Sequence, residues 1–309
     1  MISLFQMQPV GLWVSWGKKM TKTLIIFGFG YCSEAVLHGL RDWDGKTIVV
    51  TRNIENINLL RKKGVEAYHW SDQASVKKSI QKTNMILHSI PPVGNSDPVY
   101  ECFVEYFSEL PDKSKLIYLS STGVYGDRRG NWVDETAKLN PKTELGIYRL
   151  YAENIWKEIA EKFGVRLIIM RLAGIYGLGR SPIERLQKGK ARVIRKPGLL
   201  FSRIHVEDIV GLIRLCIERN DISGIYNVCD NKPASSETVM KEASRLLGID
   251  CPTPVSVEKL DLSKTALGFY SESKKVSNKK LLNDFRYKMK HPDYFSGLKA
   301  IADGLKRSE

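Results

Sequence analysis

The sequence of 309 residues predicts an α/β fold, a doubly wound parallel sheet with a smaller C-terminal lobe. Short apolar runs alternate with amphipathic segments through the first 172 residues, which is the pattern of βαβ units. One apolar run, "LIIF", leads into the glycines of "GFG" and then into a helical pattern. After about residue 175 the chain becomes basic, irregular and rich in Gly and Pro, which indicates the second lobe.

The alternation predicts six strands with helical crossovers between them. The predicted strands are Thr23–Phe27, Thr47–Thr51, Ala67–His69, Met85–Ser89, Leu116–Ser120 and Leu167–Leu172. The predicted helices are Ser33–Leu40, Ile54–Lys63, Ser75–Lys82, Val99–Glu109 and Gly146–Phe163. A helix (Glu207–Glu218), a strand (Gly224–Val228) and a helix near Ser236 are expected after the irregular segment. Ligands of such sheets bind beyond the carboxyl ends of the strands, so the site is expected there.

The same pattern divides the chain into three parts. Residues 1–20 precede any regular pattern and are interpreted as a disordered arm or an upstream-start artefact. Residues 21–175 are predicted to form the dinucleotide-binding, Rossmann-like domain. Residues 176–309 are predicted to form mostly a substrate-binding lobe, with a strand and a helix around 204–230 that return to the first domain.

Composition excludes some function classes. The formal net charge is +14, which we interpret as a Lys-rich surface or as a basic cleft for a phosphorylated cofactor or substrate. Nucleic-acid binding is disfavoured because the basic clusters lack interleaved aromatic residues. No run of 18 apolar residues occurs, so no membrane span is expected. The five scattered cysteines never form C-x-x-C, which indicates reduced thiols in a cytoplasm and no metal site.

The segment "FGFGYCS" has the chemistry of a phosphate-binding loop. Gly28 permits a tight turn after the strand, and Gly30 lets the backbone approach a pyrophosphate. Tyr31 follows these glycines and shortly precedes the predicted helix, whose N-terminal amides attract anions. Ser33 takes the place of the third glycine of the G-x-G-x-x-G pattern, where a small residue is needed for packing. These four residues are predicted to bind a dinucleotide.

The end of the second strand bears on the choice of cofactor. NAD-binding sheets place an Asp or Glu there to hold the ribose 2′-hydroxyl. In this chain Arg52 stands there, between Thr51 and Asn53, and the first carboxylate after it is Glu55. An arginine suits a 2′-phosphate through charge-assisted hydrogen bonds. We therefore predict NADP(H) rather than NAD(H), with Arg52 as a simple solvated charge as the alternative.

The segment "LIYLSSTGVYGD" resembles the extended short-chain dehydrogenase/reductase family, the NAD-dependent epimerase/dehydratase group. "RLAGIYGLGR" and "SRIHVEDIV" are similar to two further family motifs, R-x-x-x-x-Y-G-P-G-R and R-x-x-H-V-x-D, and the resemblance covers roughly residues 22–300. "HSIPPVG" is similar to an atypical bacterial subgroup of oxidoreductases. The resemblance implies that Ser89 and Pro91 lie beside the cofactor ribose.

The resemblance also implies a Ser or Thr, a Tyr, and a Lys four residues after that Tyr. Ser121 matches the serine, which hydrogen-bonds the substrate oxygen. In "ELGIYRLYAE", Leu145 stands where the proton-transferring tyrosine is expected, and Arg149 stands where the lysine is expected. Tyr148, three residues further on the same helix face, is the first candidate for a substitute acid, and Tyr125 is the second.

We therefore expect a cytoplasmic, NADP(H)-binding oxidoreductase or epimerase-like enzyme that acts on a small molecule. Arg180 and Arg203 are predicted to contact a phosphorylated or nucleotide-linked substrate between the sheet edge and the lobe. Two alternatives remain open: a cofactor-sensing or scaffold protein without turnover, favoured by Leu145, and an RNA-binding member of the same fold, favoured by the charge. A homodimer is an open expectation as well.

Overall fold

The computed structural model of the protein describes residues 22–259 and 264–306. The arm predicted for residues 1–20 lies outside the described residues. The strands are β1 (Thr23–Phe27), β2 (Lys46–Thr51), β3 (Glu66–His69), β4 (Met85–His88), β5 (Lys115–Ser121), β6 (Trp132–Val133), β7 (Arg166–Leu172), β8 (Gly174–Tyr176), β9 (Ile194–Arg195), β10 (Arg203–His205), β11 (Gly224–Val228), β12 (Val255–Ser256) and β13 (Lys275–Val276).

The helices alternate with these strands. They are α1 (Tyr31–Gly39), α2 (Ile54–Lys62), α3 (Gln73–Ile80), α4 (Pro98–Phe103), α5 (Glu144–Phe163), α6 (Pro182–Gln187), α7 (Val206–Glu218), α8 (Ser236–Leu247), α9 (Lys264–Ser271), α10 (Lys279–Phe285) and α11 (Tyr294–Lys306). Short 3-10 turns follow α4 at Val104–Glu109, follow β5 at Thr122–Tyr125, and occur at Val257–Lys259.

The main sheet has seven parallel strands in the order β11-β7-β5-β4-β1-β2-β3, and this confirms the predicted fold class. The chain starts in the middle at β1, runs outward to β3, and then crosses to β4 and the other edge. The carboxyl ends of all these strands meet at one edge. Ser121, Leu172 and Val228 stand side by side there, on β5, β7 and β11.

The predicted elements of the first 172 residues occur within one or two residues of their expected bounds, with one exception. The helix predicted for Val99–Glu109 is divided into α4 and a 3-10 turn that begins at Val104. Three short parallel pairs, β8 with β10, β9 with β12, and β6 with β13, were not predicted. Such two- or three-residue strands leave no periodic pattern in the sequence, because they form only where distant loops meet.

Apolar residues cover both faces of the sheet. Residues of α1, α2 and α7 build the core on one face, and residues of α3, α4 and α5 build it on the other. A separate apolar core joins α6, α8 and α11 in the C-terminal lobe. Helix α7 packs against α1, and β11 pairs with β7, so this part of the chain returns to the main sheet. Within the described ranges, no helix is both long and apolar enough to span a bilayer.

Candidate active site

The turn between β1 and α1 forms an open cradle. Gly28 has φ of +90°, and a Cβ there would lie 2.7 Å from the Ile90 side chain, so glycine is required. Gly30 precedes α1 in extended conformation without a side-chain cap, and nothing lies within 4 Å of the position a Cβ would take. The first amides of α1 therefore point toward free space, as a pyrophosphate requires. This geometry fits a dinucleotide.

Ser33 and Ser89 contact each other next to this cradle. Their hydroxyl oxygens are 2.6 Å apart, and the Ser89 hydroxyl also donates to the carbonyl of Phe27 at 2.9 Å. Ser33 is buried, so it acts as the small packing residue that the glycine pattern demands. Pro91, two residues beyond Ser89, is exposed at the edge of the same cleft.

Arg52 is exposed just beyond β2. Its carbonyl is 3.2 Å from Nε2 of His69, whereas its guanidinium has no hydrogen bond or ion pair to another residue in the described ranges. The next residue, Asn53, caps α2 by accepting a hydrogen bond from the amide of Asn56 at 3.0 Å. The guanidinium is thus available to a ligand near the carboxyl ends of β1 and β2.

Ser121 ends β5, and its Oγ accepts a hydrogen bond from the amide of Gly123 at 3.1 Å. The first turn of α5 packs against this segment, because a Cβ on Gly146 would lie 2.8 Å from the Gly123 carbonyl. Leu145 is 55% exposed on that turn. Tyr148 is half-buried, and its hydroxyl has no hydrogen-bond partner among the described residues. The position at which the family tyrosine is expected therefore carries an exposed apolar side chain.

Arg149 lies against the underside of β5. Its Nη1 donates to the carbonyl of Leu119 at 2.7 Å and to the hydroxyl of Tyr118 at 3.2 Å. Burial raises the pKa of Tyr118, so its phenol stays protonated and closed to solvent. Arg149 therefore has a defined place beside the strand that ends in Ser121, and Tyr118 anchors it there.

Tyr125 is fully buried and is a structural residue. Its hydroxyl donates to Oδ1 of Asn227 at 2.7 Å and accepts from Nη1 of Arg171 at 2.9 Å. Burial raises the pKa of this phenol. These contacts disfavour the hypothesis that Tyr125 is a substitute acid, because its hydroxyl is buried and already donates to Asn227.

A buried ion pair, which the sequence did not reveal, joins α5 to β7. Glu153 accepts two hydrogen bonds from the guanidinium of Arg171, at 2.7 and 3.0 Å. Its Oε1 also accepts a hydrogen bond from Ser120 Oγ at 2.7 Å. Glu153 is completely buried and Arg171 is 1% exposed. The one available signal was position, since Glu153 stands one helical turn before the buried Trp156 and so faces the sheet.

A second buried group fixes the loop after β4. Nε2 of His88 lies 2.8 Å from Asp97, which also accepts from Nε1 of Trp156 at 3.1 Å and from the amide of Val99 at 3.0 Å. Burial alone would raise the pKa of Asp97, but His88 and these donors lower it below its usual value. Residues 89–96, which border the cradle, are held between these partners. The sequence analysis noted "HSIPPVG" without finding this role.

The two lobe arginines lie in different surroundings. Arg180 is exposed, and its Cζ lies 5.7 Å from the ring centroid of Tyr31, beside the phosphate-binding loop. Arg203 is half-buried, and its Nη1 donates to the carbonyls of Phe201 and Ala234 at 2.9 and 2.8 Å. One nitrogen of Arg203 therefore ties two loops together, and only its remaining N–H groups could meet a substrate.

A cavity of about 330 Å³ lies in the C-terminal lobe, bounded by residues 194–201 and 235–237. Lys196, one of its lining residues, donates to the carbonyl of Tyr270 on α9 at 2.7 Å. A second cavity, of about 400 Å³, includes Glu135 and Lys280. Neither cavity is lined by a predicted site residue, but the first one reaches Phe201, whose carbonyl accepts a hydrogen bond from Arg203.

His205, Glu207 and His291 form a cluster at the start of α7, with potential ligand atoms within 4.8 Å of one another. Nδ1 of His205, however, accepts the amide of Glu207 at 3.2 Å. Burial lowers the pKa of His205 to about 4, so at neutral pH the ring is neutral and its proton is on Nε2. Neither nitrogen of His205 then offers a lone pair to a metal, and the ring serves as the cap of α7.

A family model described as the NAD dependent epimerase/dehydratase family matches residues 24–229. A solved protein of Silicibacter pomeroyi, described as functionally unknown and conserved, is 35% identical with a TM-score of 0.84, and the match covers 92% of this chain and 99% of that one. Protein YeeZ of Escherichia coli K12 is 29% identical over 208 residues, which are 65% of this chain and 70% of YeeZ.

More distant solved structures share the fold alone. UDP-glucose 4-epimerase of Thermotoga maritima, solved with UDP-glucose, is 19% identical with a TM-score of 0.75, covering 93% of this chain and 99% of that one. UDP-glucuronic acid 4-epimerase of Bacillus cereus, solved with NAD, is 16% identical with a TM-score of 0.72, covering 92% of this chain and 99% of that one.

Proposed function

The chain belongs to the NAD-dependent epimerase/dehydratase family, and from this premise we propose that it is an NADP(H)-dependent oxidoreductase or epimerase-like enzyme. The observation that carries the proposal is the open cradle at Gly30 together with the guanidinium of Arg52 at the neighbouring strand end, which has no partner among the residues that the structure describes. A nicotinamide dinucleotide supplies a hydride acceptor or donor. The protein's part is to bind that group, to orient a small-molecule substrate against it, and to move a proton.

Cofactor choice rests on Arg52. The cradle residues Gly28, Gly30 and Tyr31 would serve any dinucleotide, because they act through backbone amides and close approach. Arg52 would add charge-assisted hydrogen bonds to a 2′-phosphate, which NADH lacks. No carboxylate stands beside it to hold a 2′-hydroxyl before Glu55.

The test compares NADPH and NADH by isothermal titration with the unmodified protein, Arg52→Ala and Arg41→Ala. Arg41 is a matched control, since it is an exposed arginine just beyond the other end of α1. We expect NADPH to bind more tightly, and Arg52→Ala to remove about 1.5–3 kcal/mol of that preference, as for a charged hydrogen bond. Equal affinities for the two cofactors in the unmodified protein would contradict the proposal.

For proton transfer we assign Tyr148 as the acid, Ser121 as the hydrogen-bond donor to the substrate oxygen, and Arg149 as the residue beside the ribose. Leu145 cannot transfer a proton, and a guanidinium remains protonated, so Arg149 is no base. Support comes from Tyr148 itself, a half-buried residue near the start of α5 whose hydroxyl has no hydrogen-bond partner within the described chain.

Given a substrate, Tyr148→Phe should lower turnover by roughly 10²–10⁴-fold, the range for general acid catalysis, while cofactor affinity stays unchanged. Tyr151→Phe is the matched control, because Tyr151 is an exposed tyrosine three residues further along α5. The double change Leu145→Tyr with Arg149→Lys should raise turnover by restoring the family pair. If Tyr148→Phe leaves turnover unchanged, another residue is the acid.

We propose a phosphorylated or nucleotide-linked substrate, handled in the cytoplasm. The cavity that reaches Phe201 is lined by Arg195 and Lys196, the end of a segment that carries six basic residues and one acidic residue between 184 and 196. Glu237, another residue of the lining, neutralises Arg195. UDP-glucose in the related Thermotoga maritima epimerase is an example of this ligand class. A panel of nucleotide sugars and sugar phosphates, scored by thermal shift with NADP⁺ present, would test the class.

A second candidate is a cofactor-binding protein without turnover. The exposed Leu145, in place of the tyrosine, favours it specifically. Tight NADPH binding with no oxidation across that substrate panel, and no gain from Leu145→Tyr with Arg149→Lys, would support this candidate over the enzyme.

A further inference from the structure

The two lobes are fastened together directly beside the cradle. The hydroxyl of Tyr31, the first residue of α1, donates to the carbonyl of Leu178 at 2.9 Å across 147 residues of sequence. The approach is close, because a Cβ on Gly177 would lie 2.5 Å from that hydroxyl. Burial raises the pKa of Tyr31 to about 12, so the hydroxyl remains a donor at neutral pH.

A tight turn presents Arg180 from this point. Gly177 and Arg180 exchange backbone hydrogen bonds of 3.3 and 3.0 Å, and Gly179 between them has φ of +79°. The turn is held from the lobe side, because Glu184 accepts hydrogen bonds from the amide of Gly179 and the hydroxyl of Ser181. The Arg180 side chain therefore leaves a rigid base rather than a mobile loop.

The charge of Arg180 is directed at the start of α1. Its guanidinium lies over the Tyr31 ring, and it forms no ion pair with a carboxylate in the part of the chain that is described. Its charge also acts on Tyr31 and Cys32, the first two residues of α1. Burial raises the pKa of Cys32 to about 11, and the positive charge of Arg180 lowers the pKa of both residues against that effect. Glu184 and Glu207 also act on Tyr31, in the opposite sense, but both are engaged: Glu184 accepts from Gly179 and Ser181, and Glu207 pairs with Lys290 and His291. The Arg180 guanidinium and the free N–H groups at the start of α1 therefore remain as donors beside the open space at Gly30.

We propose that Arg180 binds the diphosphate of the dinucleotide, so that the C-terminal lobe closes over the cofactor and not only over the substrate. This inference rests on the proposed function, and it replaces the expectation that Arg180 contacts the substrate. A planar guanidinium fits two phosphate oxygens, and its partner amides come from α1. Tyr31 is the positioning residue that keeps the turn in place.

The experiment measures two ligands by titration calorimetry on the full chain: NADP⁺, and adenosine 2′-monophosphate, which has the 2′-phosphate but no diphosphate. Arg180→Ala should weaken NADP⁺ binding by roughly 10- to 150-fold, the effect of a charged hydrogen bond. It should leave adenosine 2′-monophosphate within about twofold. Arg180→Lys should recover part of the loss, because it keeps the charge but not the fork.

Two further variants test whether the loss of NADP⁺ affinity is specific to Arg180 and to the turn that carries it. Arg245→Ala removes an exposed arginine of the same lobe, on α8, and should change the binding of neither ligand. Tyr31→Phe removes only the 2.9 Å hydrogen bond and should weaken NADP⁺ by a smaller factor, roughly 2- to 10-fold. Unchanged NADP⁺ binding in Arg180→Ala, or an equal loss for both ligands, would overturn the inference. If the unmodified protein binds neither NADP⁺ nor NADPH, the proposed function itself fails.

Discussion

The buried pair Glu153–Arg171 offers the sharpest test of what holds the site together. Every oxygen of Glu153 is occupied, with Arg171 at 2.7 and 3.0 Å and Ser120 at 2.7 Å, and both charged residues are almost fully inaccessible to water. Replacing Glu153 by Ala would leave the guanidinium in the core with Tyr125 as its one remaining partner. We expect this change to cost about 3–5 kcal/mol of unfolding free energy, as for an uncompensated buried charge.

The cost comes from the stranded charge and not from the loss of attraction alone. Removing both charges with Glu153→Leu and Arg171→Met should therefore be less damaging than either single change, because packed apolar side chains need no partner. A double-mutant cycle isolates this coupling. Glu237→Ala serves as the control, since it breaks an ion pair with Arg195 on the surface, where such pairs contribute little.

The assay is urea unfolding followed by circular dichroism, with Glu153→Ala, Glu153→Leu, Arg171→Met, the double variant, Glu237→Ala and the unmodified chain at one pH and salt concentration. Glu153→Ala and Arg171→Met should each lower the midpoint far more than Glu237→Ala. The reasoning is refuted if Glu153→Ala resembles the surface control, or if the double variant loses the sum of the two single losses.

Two further predictions concern the backbone and pH. Gly126→Ala should lower the free energy of unfolding by several kcal/mol in the same urea assay, because a Cβ there would collide with the Asn140 carbonyl. Gly64→Ala is the control: Gly64 has a similar positive φ but open space around it, so the change should cost only about 1–2 kcal/mol. Burial raises the pKa of Asp230 to about 7, so its contribution to stability is present below pH 4 and is lost as pH rises through 7. Asp230→Asn should therefore be more stable than the unmodified chain at pH 8 but not at pH 4. A difference that does not change with pH would contradict this. The pKa of His205 is shifted in the opposite direction, but His205 is present in both proteins and its effect cancels in the comparison.

The order of strands and helices could be predicted from the sequence because it depends on local patterns. Each strand of the first half is an apolar run, each crossover helix is amphipathic, and the glycines of the cradle follow from the backbone that a turn and a pyrophosphate require. The same holds for Leu145 and Arg149, whose places on α5 follow from their spacing. These features need no knowledge of which distant segments meet.

The partners of the polar side chains were decided only by the tertiary structure. The sequence offered Tyr125 as a candidate acid, but it did not show that its hydroxyl donates a hydrogen bond to Asn227, 102 residues away. The sequence analysis likewise predicted that Arg180 contacts a substrate, but it did not show that Arg180 lies over the Tyr31 ring. A buried polar group takes whichever complementary group the packing brings within 3 Å or so, and that choice depends on how sheet, helices and lobe are assembled, which no local pattern contains.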